Sequence, residues 1–276
     1  MNLTFTLLGT GSSGGVPRIG GDWGACDPSN PKNRRSRCSA HVKIDNSDGS
    51  TVSLLIDTSP EMREQLLRND ISKVDAVLYT HAHADQAHGI DDLRVLVYDQ
   101  RRRMAVYADK PTMNELTSRF DYCFKTPPNS SYPPILEPRP LITPFETFRI
   151  EEGAFPVTVL PLDQAHGKIR SLGFRIGGFA YCNDVVDLPK QSLNALTNLD
   201  VLVVDALRYE PHPTHAHLDK ALDWIEILKP KRAVLTNLHI DMDYEKVTAQ
   251  TPSNIEVGYD GYRSSISHNI DYTYFA

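Results

Sequence analysis

Residues 80–88 read Thr-His-Ala-His-Ala-Asp-Gln-Ala-His and follow directly on a short apolar run. On extended or tightly turning backbone alternate side chains point the same way, so His81 and His83 can converge on one ion. Asp85 continues that register and could reach a second ion. Imidazole and carboxylate donors together suit Zn, Mn or Fe. One histidine after a strand is an ordinary core or surface residue, whereas two histidines and an aspartate at alternate positions form a metal-binding pattern. Four further candidates stand where apolar runs end: His166 after 157–162, Asp184 after 179–182, Asp205 after 201–204 and His239 after 233–235. Singly they read as a loop residue, a helix N-cap or a satisfied histidine. Gathered by loops at one edge of a sheet, they complete a metal site.

The elements that must position these residues are legible as short apolar runs bounded by Gly, Asp, Asn and Pro. Strands are predicted over 3–8, 39–44 and 52–56, with a turn at Asn46-Ser47-Asp48-Gly49 between the last two. A helix over 60–67 has Pro60 in its first turn. A buried strand over 74–79 stops at Thr80. A helix over 90–98, a strand over 104–107 and a helix over 111–120 follow. Residues 126–144 hold Pro127, Pro128, Pro133, Pro134, Pro138 and Pro140, a density that predicts no regular element. A long irregular stretch inside a compact domain serves as a lid or binding loop, here around 120–145. Strands resume over 157–160, 171–176, 179–182, 201–204 and 233–235, and Leu218, Ala221, Leu222, Ile225 and Leu228 give one helix a core face. With no internal repeat and no break in composition, the expectation is an α/β protein of a single domain over 1–276, two sheets packed together with helices outside.

Three further stretches narrow the reading: Gly9-Thr10-Gly11-Ser12-Ser13-Gly14-Gly15-Val16-Pro17, Asn33-Arg34-Arg35 and Gly89-Ile90-Asp91-Asp92-Leu93-Arg94. With the histidine cluster, they make the chain resemble the metallo-β-lactamase superfamily, whose signature is H-x-H-x-D-H followed by a distant His, an Asp and a last His. Within it the chain looks like the phosphoribosyl cyclic phosphodiesterase branch, with ribonuclease Z and the PQQ-biosynthesis protein B as more distant relatives. The likeness runs from about residue 7 to Tyr259-Asp260-Gly261 and is weak over 104–155. The resemblance implies an αββα sandwich with a two-metal site at one edge. It implies His81, His83 and His166 as ligands of the first ion, Asp184 as the bridging carboxylate, and Asp85 and His239 as ligands of the second. His215, within Pro213-Thr214-His215-Ala216-His217-Leu218-Asp219, falls where the branch keeps a catalytic histidine, with Asp85 helping to orient the attacking water. The same pattern places Arg34 and Arg35 against phosphate and makes His217 a neighbour that contacts substrate. The implied activity is a metal-dependent phosphodiesterase acting on a small cyclic or nucleotide-like ribose phosphate, using one or two Zn2+ or Mn2+ ions. The competing readings are a ribonuclease Z-like endonuclease and a non-catalytic accessory protein of the PQQ-B type.

Two departures bear on that reading. The last histidine of H-x-H-x-D-H is Gln86 here, which weakens the second ion's site because an amide is a poorer donor than an imidazole. Where the branch carries a cysteine-rich loop, this chain reads Gly21-Asp22-Trp23-Gly24-Ala25-Cys26, and one cysteine cannot close a structural zinc site. Gly9-Thr10-Gly11-Ser12-Ser13-Gly14 also matches G-x-G-x-x-G, but Val16, Pro17, Gly20 and Gly21 follow where a dinucleotide fold needs a helix. With 29 Lys+Arg against 35 Asp+Glu, the net charge of −6 opposes binding of long nucleic acid. Arg101-Arg102-Arg103 is expected on a solvated face. No stretch approaches a membrane span, residues 1–5 carry no secretory pattern, and Cys26, Cys38, Cys123 and Cys182 have no paired spacing. The expectation is a reduced cytoplasmic protein with a small phosphodiester or nucleotide substrate, a homodimer being the one assembly left open.

Overall fold

Leu54-Leu55-Ile56, Ala76-Val77-Leu78 and Val201-Leu202-Val203-Val204 are buried at every position, the mark of strands covered on both faces. The computed structural model, which describes residues 1–267, shows what covers them. Its first half carries β1 (Asn2–Gly9), β2 (Ser39–Asp45), β3 (Thr51–Ile56), α1 (Met62–Arg68), β4 (Ala76–Leu78), α2 (Ala84–Ala87), α3 (Leu93–Gln100), β5 (Met104–Tyr107), α4 (Lys110–Arg119), α5 (Asp121–Phe124) and β6 (Leu136–Pro138). Its second half carries β7 (Phe148–Ile150), β8 (Val157–His166), β9 (Ile169–Ile176), β10 (Phe179–Cys182), α6 (Lys190–Ala195), β11 (Val201–Asp205), α7 (Leu218–Leu228), β12 (Arg232–Thr236), α8 (Tyr244–Gln250), β13 (Ile255–Val257) and β14 (Tyr262–Ser267).

Two seven-stranded mixed sheets result, ordered β14-β1-β2-β3-β4-β5-β6 and β13-β12-β11-β10-β9-β8-β7. Each is antiparallel in one part and parallel in the other: β3 through β6 run parallel in the first sheet, β10 through β13 in the second. Between the sheets, Phe5, Val42, Leu54 and Leu78 meet Phe174, Tyr181, Val203 and Val234, with Phe5 stacked on Phe179 at 4.9 Å between ring centres. Helices α1, α3 and α4 cover the outer face of β3 to β6, and α6, α7 and α8 cover that of β10 to β13. This is the αββα sandwich. In a sheet of this kind the carboxyl ends of the parallel strands bring their following loops to one edge. His81, Asp184, the loop after Asp205 and His239 all follow such ends. No helix among the described residues is long and apolar enough to cross a membrane, and the four cysteines are free and buried.

The structure corrects the expectation in three places. The proline-rich stretch contains β6, which pairs in parallel with β5 through Leu136 to Pro138. An edge strand needs a hydrogen-bonding partner on one side only, so it tolerates Pro138. The strand expected over 74–79 is the three residues of β4. Third, the chain turns into α2 directly after His83, so Asp85 lies in a helical first turn and not in the extended register of the two histidines. Strands β7, β13 and β14 and helix α8 are additional to the predicted elements.

Closing the first sheet with β14 depends on a carboxylate just before it. Asp260 accepts from Thr10 N–H and Oγ1 at 3.0 Å each, from Ser36 N–H at 2.8 Å and from Ser36 Oγ at 2.6 Å. One buried side chain thus ties the end of β1, the approach to β2 and the return of β14. Asp260→Ala leaves two backbone N–H groups without an acceptor and is expected to cost about 2–4 kcal/mol in urea unfolding. Asp260→Asn should recover little of that, because its NH2 sets donor against donor.

Candidate metal centre

His81 is 2% exposed, and its Nδ1 lies 3.0 Å from Thr80 Oγ1. That hydroxyl has one proton, and it goes to Asp57 Oδ2 at 2.8 Å, while the Thr80 N–H donates to Asp57 Oδ1 at 2.8 Å. Thr80 Oγ1 therefore accepts from His81 Nδ1–H, and Nε2 keeps its lone pair. No hydrogen-bond partner meets that buried Nε2. His166, the last residue of β8, donates Nδ1–H to the Thr214 carbonyl at 2.8 Å, which again leaves Nε2 unprotonated. His83, on the exposed side, completes the group: the three ring centres are 4.5, 5.0 and 5.2 Å apart, and the ligand atoms lie within 4.8 Å of one another. Burial, reinforced by the neighbouring imidazoles, holds His81 well below the usual histidine range and His166 down at about 4. Neutral imidazoles with the far nitrogen pinned outward are the form that binds a transition metal. The orphaned Nε2 of His81 and the two pinned tautomers fit a divalent ion.

A second group, His166, Asp184 and His215, shares His166 and is equally tight. Asp184 follows β10 with a left-handed φ of 52°, a conformation disfavoured without glycine. Its Oδ2 accepts from Gln86 Nε2 at 2.9 Å and Asn183 Nδ2 at 2.8 Å, and its Oδ1 from Asn237 Nδ2 at 3.3 Å. Burial raises its pKa well above the carboxylate range, although the nearby His215 pulls the other way. His215 Nδ1 lies 2.8 Å from Asp205 Oδ2, 3.0 Å from Asn237 Nδ2 and 3.5 Å from Asp184 Oδ1. Burial disfavours the charged ring, but Asp205, through its charge and hydrogen bond, together with the charges of Asp184 and Asp85 outweighs it and lifts the pKa to about 9. Nδ1–H is committed to Asp205, so Nε2 is the nitrogen left for a ligand or substrate.

The structure does not gather every expected residue. His81, His83, His166, Asp184 and His215 come together. Asp85 stands half-buried beside Gln86, whose Nε2 is 3.4 Å from its Oδ2. His239 lies outside both groups: its Nδ1 pairs with Asp241 at 2.8 Å and its Nε2 lies against Arg18 Nη2. Arg35 does not face a substrate. It is 2% exposed and its guanidinium points to Cys26 Sγ, the Asn33 side-chain oxygen and the His239 carbonyl. Arg34 is exposed, with its guanidinium over the Trp23 ring at 5.2 Å. His217 is the half-buried N-cap residue of α7. Cys26 packs with Val16, Ile240 and Trp23. Sequence reasoning passed over Asp57 and Thr80, which orient His81, and Arg18, which lies beside His239. It took Asp205 as a strand-end candidate for the metal site, whereas the structure bonds it to His215. A carboxylate at the end of β3 and a hydroxyl next to His81 were the available signals.

Residues 53–240 match the family described as Beta-lactamase superfamily domain. The chain is 33% identical over 265 residues to an octanoyltransferase of Porphyromonas gingivalis (strain ATCC BAA-308 / W83); the match takes in 94% of this chain and 51% of that protein. The chain thus spans about half the length of the curated relative it matches. Among solved structures it is similar to a new diphosphatase from the PhnP family, with 36% identity and a TM-score of 0.85 over 96% of this chain and 98% of that one. Zn(2+)-bound PqqB from Methylobacterium extorquens (18% identity, TM-score 0.69, 95% and 99% covered) and short-form human tRNase Z (16%, 0.63, 97% and 100%) share the fold.

The geometry around His215 makes a measurable claim. In metal-free protein its imidazole should titrate near 9, and Asp205→Asn, which keeps the shape but removes the charge, should lower that value by about one unit or more. Histidine NMR titration reads this directly, and an unmoved His215 would show that Asp205 does not hold its proton.

Proposed function

The chain belongs to the β-lactamase superfamily and is of PhnP-like type, and from that premise we propose that it is a metal-dependent phosphodiesterase acting on a small cyclic or nucleotide-like ribose phosphate. The observation that carries the reading is His215: its Nδ1 is bonded to the buried carboxylate of Asp205 at 2.8 Å, and its ring stands 4.8 Å from the His166 ring of a metal-ready cluster. A phosphodiester resists hydrolysis because its oxygens repel nucleophiles and its leaving alkoxide is poor. A divalent cation, Zn2+ or Mn2+, supplies the Lewis acid that lowers the pKa of water towards about 7 and offsets phosphoryl charge.

The chain's own residues do the rest. His81, His83 and His166 would hold the ion, with the carboxylate of Asp184 a further donor in the group that shares His166; Asp57 through Thr80, and the Thr214 carbonyl, keep two of those imidazoles in the binding tautomer. His215, charged at neutral pH, holds a proton at Nε2 for the departing ribose oxygen as general acid, while Asp205 retains Nδ1–H. Asp85, half-buried beside Gln86, orients the attacking water. Arg34 and His217 are the substrate-facing residues of the rim. The described residues form one catalytic domain, working in the cytoplasm on small substrates, and the stretch between α5 and β6, within 120–145, is its lid or binding loop. Two contacts support the lid: Arg119 Nη1 donates to the Ala82 carbonyl at 2.7 Å, and Phe120 packs on His88 at 5.7 Å. They set the start of that segment against the histidine loop.

One relative favours a second reading. The 36% identical structure is described as a diphosphatase, so a phosphoanhydride joined to ribose is the competing substrate, and the same ion and the same acid serve both bonds. A panel of a cyclic ribose phosphate, a chromogenic diester, a nucleoside diphosphate ester and a precursor tRNA separates them. Turnover of the precursor tRNA alone would move the assignment to the ribonuclease branch.

Chelation should abolish turnover, with Mn2+ or Zn2+ restoring it. His215→Ala should lower kcat by about 10²–10⁴ while bound metal stays constant. Full activity in metal-free protein sinks the reading, and a loss of metal in the variant makes His215 a ligand.

A further inference from the structure

The second ion of the family's pattern has no place prepared for it. A guanidinium carries donors only, so where Arg18 Nη2 meets His239 Nε2, the lone pair that would bind a cation accepts from Arg18. Asp241 accepts from the N–H of the other nitrogen, so Nε2 is the acceptor and Arg18 is what occupies it. Gln86, at the position of the signature's last histidine, does not aim an oxygen at an ion but donates from Nε2 to Asp184. With Asn183 and Asn237 also donating, amide groups from three side chains cover the carboxylate that would bridge two ions. These residues do not fit a second cation, whereas His81, His83 and His166 fit a first.

We propose that Arg18 takes the second cation's place, its guanidinium docked on His239 and gripping the substrate's phosphoryl group beside a single bound ion. The proposal rests on the phosphoryl-substrate reading above. Three observations support it. The charge is available: Arg18 is exposed, and no carboxylate pairs with it among the described residues. Its place is built. Arg18 N–H donates to the Asp22 carbonyl at 2.8 Å and its own carbonyl accepts from Gly21 at 3.0 Å, closing a tight turn. That turn is seated on the residue after His239, since Ala25 N–H donates to the Ile240 carbonyl at 2.9 Å and Val16, Trp23 and Cys26 pack on Ile240. At Gly24, φ is 53° and a Cβ would stand 2.7 Å from that carbonyl oxygen, so the approach requires glycine. The chemistry also suits. A planar guanidinium offers paired N–H groups to two phosphoryl oxygens, and only Nη2 is engaged by His239.

Metal-free protein titrated with Mn2+, followed by elemental analysis and EPR, counts the ions; inorganic phosphate in calorimetry probes the anion site of the loaded protein. Wild type is expected to hold one tight equivalent with the spectrum of an isolated ion. Arg18→Ala should keep that equivalent yet bind phosphate about tenfold more weakly or worse, with Arg18→Lys recovering part of the loss. Two tight equivalents with exchange coupling in wild type, or phosphate affinity unchanged in Arg18→Ala, overturn the proposal. Failure of the hydrolase reading is distinct: it shows as no turnover on any phosphoryl substrate, while ion count and phosphate binding still decide Arg18.

Discussion

Three imidazoles packed with ring centres 4.5–5.2 Å apart cannot carry protons on the nitrogens that face one another. A charge shared among them would set cation beside cation where little water screens it. The surroundings therefore draw the protons outward. Asp57 acts through the Thr80 hydroxyl on His81, and the Thr214 carbonyl acts directly on His166. Both devices come from loops that leave strand ends at one edge of the sandwich. The backbone is bent to fit: Asp57 and Asp184 hold φ of 62° and 52°, values a non-glycine residue adopts at a cost, and each has its carboxylate tied to a neighbouring loop.

The same edge keeps a fourth histidine in the opposite state. His166 and His215 have ring centres 4.8 Å apart, yet burial takes the first down to about 4 and a fully buried aspartate takes the second up to about 9. Distance from the cluster does not separate them; the partner of Nδ1 does. A carbonyl favours the charged ring only through its dipole, too little to offset burial, whereas a carboxylate adds a full opposite charge. Environments that push two imidazoles apart are how one cleft can hold a neutral ring beside a charged one. The short step from Asp205 at the end of β11 to the loop bearing His215 makes that sorting local.

Much of this was legible in the sequence, because it is local. Alternating histidines after an apolar strand, and Asp or His at later strand ends, follow from periodicity and from the habit of parallel strands to end at one edge. What could not be read depends on contacts between distant segments. Arg35 looks like a rim cation beside Arg34, but its side chain turns inward to Asn33, Cys26 and the His239 carbonyl, a choice set by residues up to 204 positions away. His239 reads as a ligand from its place after a strand, and nothing local announces that Arg18, 221 residues earlier, lies against its ring. Asp85 keeps the histidines' register only if the strand continues, and α2 starts one residue too early for that. The edge strand β6 escaped because proline density says nothing about which side of a strand needs its hydrogen bonds.

The departures at Cys26, Arg35 and His239 meet in one wall. Asp243 accepts from the Asp27 N–H at 3.0 Å and from Asn33 Nδ2 at 2.7 Å, while Asn33 Oδ1 accepts from the Tyr244 N–H at 2.8 Å. Arg35 fills the space between this network and the His239 carbonyl, and Cys26 donates its thiol to the Ile240 carbonyl at 3.3 Å. A loop that a metal and several cysteines could close is closed here by an apolar patch and a polar network around Asn33 and Asp243. A buried network of this kind stiffens what it touches, here the backbone at His239 and Ile240. The turn carrying Arg18 is fastened to that same segment. The closure of the loop and the cation beside His239 therefore share one packing solution, in which backbone contacts at His239 and Ile240 fix the segment and Arg18 and Asp241 meet the imidazole.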